Sequence, residues 1–132
     1  MQYPSEFARF WCEALGYVAP PPPEWFADWS DFDRALPAEK QGSAFACVDP
    51  NGVGPRLFFQ RVPEGKVVKN RVHLDVRVAT GLVGADRLAS LEAECERLVA
   101  LGASRVRLLP AADGEESRIV MQDVEGNEFC LD

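Results

Sequence analysis

A chain of 132 residues, 47% hydrophobic and 27% charged, is sized for one domain that buries about two-thirds of its unfolded surface. Its net charge of −7 argues against a nucleic-acid or anionic-membrane partner, which would want a basic face. No apolar run approaches the roughly 18–20 residues that cross a bilayer, and no basic start followed by an apolar core marks a secretory signal, so the expected location is cytoplasmic.

In chain order, Ser5 is the expected cap of a first helix, with Glu6 in its first turn. Phe7, Phe10, Trp11, Ala14 and Leu15 recur at helical spacing as one apolar stripe, and Gly16 closes it. Tyr17-Val18 reads as extended. Four prolines, Pro20 to Pro23, then fix a helix-incompatible backbone and lead into Trp25, Phe26, Trp29 and Phe32. That segment is too apolar for a disordered linker. It reads either as an ordered lid with a short helix around Asp31–Leu36 or as a plug for an open end of the core. Ser43–Val48 and Arg56–Val62 read as strands on either side of the turn Asp49-Pro-Asn-Gly52.

From Arg61 to Arg77 five basic residues face two acids, a cationic island of +3 in a chain that carries −10 elsewhere. Within it, Arg71 to Val78 alternates strictly. Val72, Leu74, Val76 and Val78 would face a core, and Arg71, His73, Asp75 and Arg77 share the other face. Four ionisable groups on one face make either a solvated surface or the floor of a polar cavity. Leu88, Leu91, Cys95, Leu98 and Leu101 mark a helix from Ala85 to Gly102. Strands follow at Ser104–Leu109, Arg118–Gln122 and Asn127–Leu131. Cys12, Cys47, Cys95 and Cys130 have neither zinc-site spacing nor a disulfide context, and read as buried free thiols.

Two halves look alike. Phe7 to Gly16 matches Ala93 to Gly102, each ending in Ala-Leu-Gly or its equivalent, and Phe45 to Gly52 matches Ile119 to Gly126, each with Asp-x-x-Gly before an aromatic-rich strand. Both matches in the same order point to a duplication. The expected organisation is one domain, 1–132, with a first module at 1–63 carrying an insert at 20–41 and a second module at 64–132.

These pieces, Phe10-Trp11 leading to Leu15-Gly16-Tyr17, Val67 to Asp75 and Asp123 to Leu131, resemble the glyoxalase-like domain of the vicinal oxygen chelate (glyoxalase/bleomycin resistance/dioxygenase) superfamily over nearly the whole chain. The resemblance implies an α+β fold of duplicated βαβββ modules. They would form a curved, partly open mixed sheet around a cavity, with helices outside. The first strand of the first module is missing from the pattern, since only Met1 to Pro4 precede Ser5. Arg71, His73, Asp75 and Arg77 would then line the cavity, with Glu128 and Cys130 from the last strand. Phe58 and Gln60 would be the inward pair of the equivalent first-half strand.

Metal-dependent members of that superfamily use four ligands, one on the first and one on the last strand of each half. By resemblance His73 occupies one ligand position, Cys130 stands where glutamate is usual, Phe58 cannot coordinate, and the strand before the first helix that would carry the fourth ligand is missing from the pattern. The expectation is therefore no metal and no other cofactor, although His73 and Cys130 with Glu128 nearby could hold adventitious zinc. Without metal, His73 reads either as a hydrogen-bonded cavity residue or, with Glu128, as a catalytic proton-transfer group. Cys130 reads as a packed thiol, and Glu128 as a rim acid paired with Arg71 or Arg77.

Three functions stay in play. The first is a metal-independent binding protein, its small-molecule ligand anionic or aromatic. That ligand would be held near His73, with Trp25, Phe26, Trp29, Phe58, Gln60, Arg71, Asp75, Arg77, Glu128 and Cys130 as contacts. The second is a lyase, isomerase or dioxygenase-type enzyme using His73 and Glu128. The third is an interaction module, a homodimer joined through the Trp/Phe surface.

Overall fold

A computed structural model describes residues 3–132 of the chain as two compact units, divided between Gly65 and Lys66. The fold is α+β; among the described residues there are three α-helices and two open sheets, neither of which closes into a barrel.

The first unit begins with α1, Pro4–Leu15. Pro4, not Ser5, opens the helix: proline lacks the N–H that a first-turn residue would leave unpaired, and Tyr3 stands at the cap without a side-chain bond. Gly16 adopts the left-handed conformation (φ 68°) that closes the helix, and the Tyr17 N–H returns to the Cys12 carbonyl. The apolar stripe Phe7, Phe10, Trp11 and Ala14 is buried. Beneath it lies an antiparallel pair, β1 (Ala44–Cys47) and β2 (Leu57–Gln60), with Phe45 opposite Phe59 and Ala46 opposite Phe58. Opposed residues share a face. Phe59 and Cys47 therefore point to the helix, where Phe59 meets Phe7 edge to face at 5.2 Å, while Phe58 and Gln60 point the other way. The strand expected at Tyr17-Val18 shrinks to a single bridge, Val18 to Val48. The proline run follows at once and has no N–H groups to extend a ladder. The insert is ordered, with helix α2 (Trp29–Ala35) capped by the Asp28 carboxylate, which accepts the Asp31 N–H at 2.8 Å.

The second unit has a four-stranded sheet in the order β3 (Leu74–Val76), β6 (Glu128–Leu131), β5 (Arg118–Gln122), β4 (Ser104–Leu109). β3 runs parallel to β6; the other pairs are antiparallel. Helix α3, Gly84–Ala100, buries Leu91, Cys95 and Leu98 against the face carrying Ile119, Met121, Phe129 and Leu131, all four of them fully buried. Full burial of a side chain such as Phe129 contributes about 1.5–3 kcal/mol.

The core-facing residues expected around β3 also need correction. Val72 is not part of this core: it precedes β3 and is 72% exposed, and Leu74 remains 40% exposed. The reason is the register. Leu74 pairs with Phe129, so the position of Val72 falls against the turn before β6, where there is no ladder left to join.

The Asp-x-x-Gly turns have one geometry in both units. The Gly52 N–H donates to the Asp49 carbonyl and the Gly126 N–H to the Asp123 carbonyl, each at 3.0 Å. In both, the aspartate side chain also gathers the following amides: Asn51, Val53 and Gly54 in one, Glu125 and Asn127 in the other.

Candidate functional site

The parallel register of β3 and β6 builds the polar face of the second unit. Asp75 sits beside Cys130, and His73 immediately precedes β3. On β5, Arg118, Val120 and Gln122 alternate with the buried Ile119 and Met121, so they join the same face. A cleft of about 590 Å³ opens there, lined by His73, Asp75, Glu128 and Cys130 together with Lys69, Arg107 and Arg118.

His73 Nε2 and Cys130 Sγ are 3.1 Å apart. Burial pushes the Cys130 thiol above its ordinary pKa, and the charge of Asp75 adds to the shift. A protonated thiol can donate to Nε2 in the tautomer that carries its proton on Nδ1. Cys130 is therefore a hydrogen-bonding thiol rather than a ready nucleophile.

Glu128 is committed elsewhere. Lys66 Nζ lies 3.3 Å from its carboxylate, which also accepts the Asn70 N–H at 3.3 Å. The expected partner was Arg71 or Arg77; the structure gives Lys66, because Arg77 is paired with Asp132 at 3.4 Å and Arg71 stands exposed. The Glu128 carboxyl is held below the usual range by its own backbone N–H, then by Asn70 and Lys66. A carboxylate kept ionised in this way is a poor proton donor near neutrality.

The remaining expected contacts are distributed differently. Arg71 and Arg77 do not line the cleft. In the first unit, Trp29 and Phe58 line a separate pocket of about 370 Å³. Phe26 packs edge to face on Phe32 at 5.2 Å, Trp25 is 91% exposed, and Gln60 is exposed on β2. Sequence reasoning missed several cleft residues, Arg107, Arg118 and Gln122 among them. Arg118 was legible from the alternation of β5. Arg107 was not, because a bulge between Arg105 and Arg107 breaks the alternation of β4.

His73, Asp75 and Cys130 bring one nitrogen, one carboxylate oxygen and one sulfur within 4.8 Å of one another. The expectation was no metal, yet this donor set fits a divalent ion such as zinc with three protein ligands. Glu128 is not part of the set.

Such an architecture, an open mixed sheet with a polar face on one side and a helix on the other, fits a domain of the glyoxalase-like class. The chain belongs to the glyoxalase-like domain family, whose model matches residues 1–131. It is similar in fold to a glyoxalase/bleomycin resistance protein/dioxygenase family enzyme from Burkholderia phytofirmans PsJN (TM-score 0.62, 12% identity, 99% of this chain and 90% of that one). It is also similar to a hypothetical protein from S. aureus (TM-score 0.58, 13% identity, 99% and 88%). No curated protein matches its sequence. No helix among the described residues is long and apolar enough to cross a membrane.

Proposed function

We propose that the protein binds a small anionic molecule, without need of a metal, in the second unit's cleft beside His73. The observation that carries this reading is the pair Lys69 and Arg107. Both line the cleft, and neither is ion-paired among the described residues, whereas Lys66, Arg77 and Arg118 are each held by a carboxylate. Unpaired cations converging on a concave face suit a carboxylate or phosphate. His73 and Gln122 supply further hydrogen-bonding groups on the same wall. The test is a titration of isotope-labelled protein with succinate and with inorganic phosphate. Saturable shifts of the His73, Gln122 and Cys130 amides, lost in the double variant Lys69→Gln/Arg107→Gln, are expected. Absence of saturation by either probe at millimolar concentration would overturn the assignment.

A second reading, an enzyme of the lyase, isomerase or dioxygenase type using His73 and Glu128, has the three-donor cluster in its favour. A divalent ion bound there would be held by His73, Asp75 and Cys130 and would supply Lewis-acid polarisation of a ligand oxygen. In that reading Glu128, tied to Lys66, acts by fixing the start of β6, two residues before the ligand Cys130. Stoichiometric zinc, nickel, iron or manganese in protein purified without chelator, lost in His73→Ala, would favour this second reading over the first.

A further inference from the structure

We propose that the pocket built by the insert of the first unit is a binding site in its own right, for a small planar aromatic carboxylate. It uses none of the residues that line the cleft beside His73.

The pocket is bounded by α2, the loop after it, the start of β1, and Arg56 and Phe58. Its volume, about 370 Å³, falls in the range of about 300–1,000 Å³ typical of small-molecule sites. Its walls are aromatic and fixed before any ligand arrives. Trp29 donates its indole N–H to the Pro20 carbonyl at 2.7 Å, packs edge to face on Phe32 (5.7 Å), and tilts over Phe45 (5.6 Å). The proline run thus has a second use: a rigid chain holds the acceptor that locks the indole. Phe58, also part of the lining, keeps 58% of its surface exposed on a strand whose next residue, Phe59, is buried. A flat ligand ring finds preorganised stacking surfaces here.

The charge is equally selective. The first unit carries nine acidic and five basic residues, yet three of the five bases, Arg34, Lys40 and Arg56, line this pocket against one acid, Asp33. Asp33 is occupied in closing the loop, accepting the Gly42 N–H at 2.8 Å, and Arg34 is paired with Asp31 at 3.4 Å. Lys40 and Arg56 have no carboxylate partner among the described residues. Arg56 lies over the Phe58 ring, 5.6 Å from its centroid. A ligand ring stacked on Phe58 would place an attached carboxylate beside that guanidinium, whose planar fork suits a carboxylate.

The test titrates the full isotope-labelled chain with 2-naphthoate and, separately, with its neutral counterpart 2-naphthamide. Naphthoate is expected to shift the Trp29 indole N–H and the Gly42 and Phe58 amides saturably, and the amide analogue to bind at least about tenfold more weakly. Arg56→Gln and Lys40→Gln, both at exposed positions, should weaken naphthoate and leave naphthamide unchanged. Equal binding of the two probes, undiminished naphthoate binding in both variants, shifts centred on His73 and Cys130 instead, or no saturable shift would each overturn the proposal.

Discussion

His73 Nε2 lies 3.1 Å from Cys130 Sγ, so an imidazole and a buried thiol meet where β3 and β6 run side by side. Burial, then the charge of Asp75, holds that thiol protonated. Native Cys130 is therefore expected to react with iodoacetamide at pH 7.5 more slowly than free cysteine, by about tenfold or more. Asp75→Asn removes the lesser cause and should recover part of the rate. Mass-spectrometric timing of adduct formation at Cys130 checks both, and a rate equal to free cysteine would show a thiolate that this geometry does not support.

Arg87 presents a different kind of buried group. It leaves helix α3 into the core, where its guanidinium donates to the Ser117 carbonyl at 2.9 Å and to Asp132 at 2.6 Å. Its own side chain is buried, but that of Asp132 is 32% exposed, so the pair is worth less than a fully enclosed one. Arg87→Ala should cost about 2–3 kcal/mol, since it strands the Ser117 carbonyl and leaves the Asp132 carboxylate with Arg77 alone. Arg87→Lys should recover only part of this, because one ammonium cannot reach both acceptors in the guanidinium's planar geometry. Urea denaturation of the two variants measures the difference.

What the sequence revealed, and what it concealed, follows the same physical line. Alternation is a local property, so the faces of β5 and β6 could be read from Ile119 to Gln122 and from Glu128 to Leu131 directly. The turns at Asp49 and Asp123 were legible because the aspartate bonds the amides of its own next residues. Interactions set by register were not legible: the Lys66–Glu128 pair spans the unit, and Val72 loses its core place only because β6 begins too late to pair with it. The pocket beside α2 depended on how the insert folds back on β1, and no spacing encodes that. Even the start of α1 turned on a rule for proline outweighing one for serine.

Trp25 sits at φ 80°, a conformation that costs a residue with a Cβ about 1–3 kcal/mol, and its indole is 91% exposed. Little burial is lost by removing it. Trp25→Gly relieves the strain at the expense of a more flexible unfolded chain, so a net gain of about 1 kcal/mol is expected. Trp25→Ala keeps the Cβ and should gain nothing. If urea denaturation showed Trp25→Gly to be less stable than the parent, the indole would have a packing role that its exposure denies.

The last prediction concerns acid. The Asp49 carboxylate accepts backbone N–H groups from Gly54 at 2.7 Å, Asn51 at 2.8 Å and Val53 at 3.2 Å, and the first two are the main reasons its pKa lies below the ordinary value. A carboxyl whose pKa is lower folded than unfolded binds its proton more readily in the unfolded chain. Its contribution is therefore fully present above the unfolded value, about 3.9, and is lost as pH falls through the folded one. Asp49→Asn removes that titration while keeping an oxygen for the turn. The variant should be less stable than the parent at pH 7, and the gap between their melting temperatures should close as pH falls below about 4. A gap that stays constant from pH 7 to the acid limit would assign the stability of this turn to its shape rather than to the charge that gathers its amides.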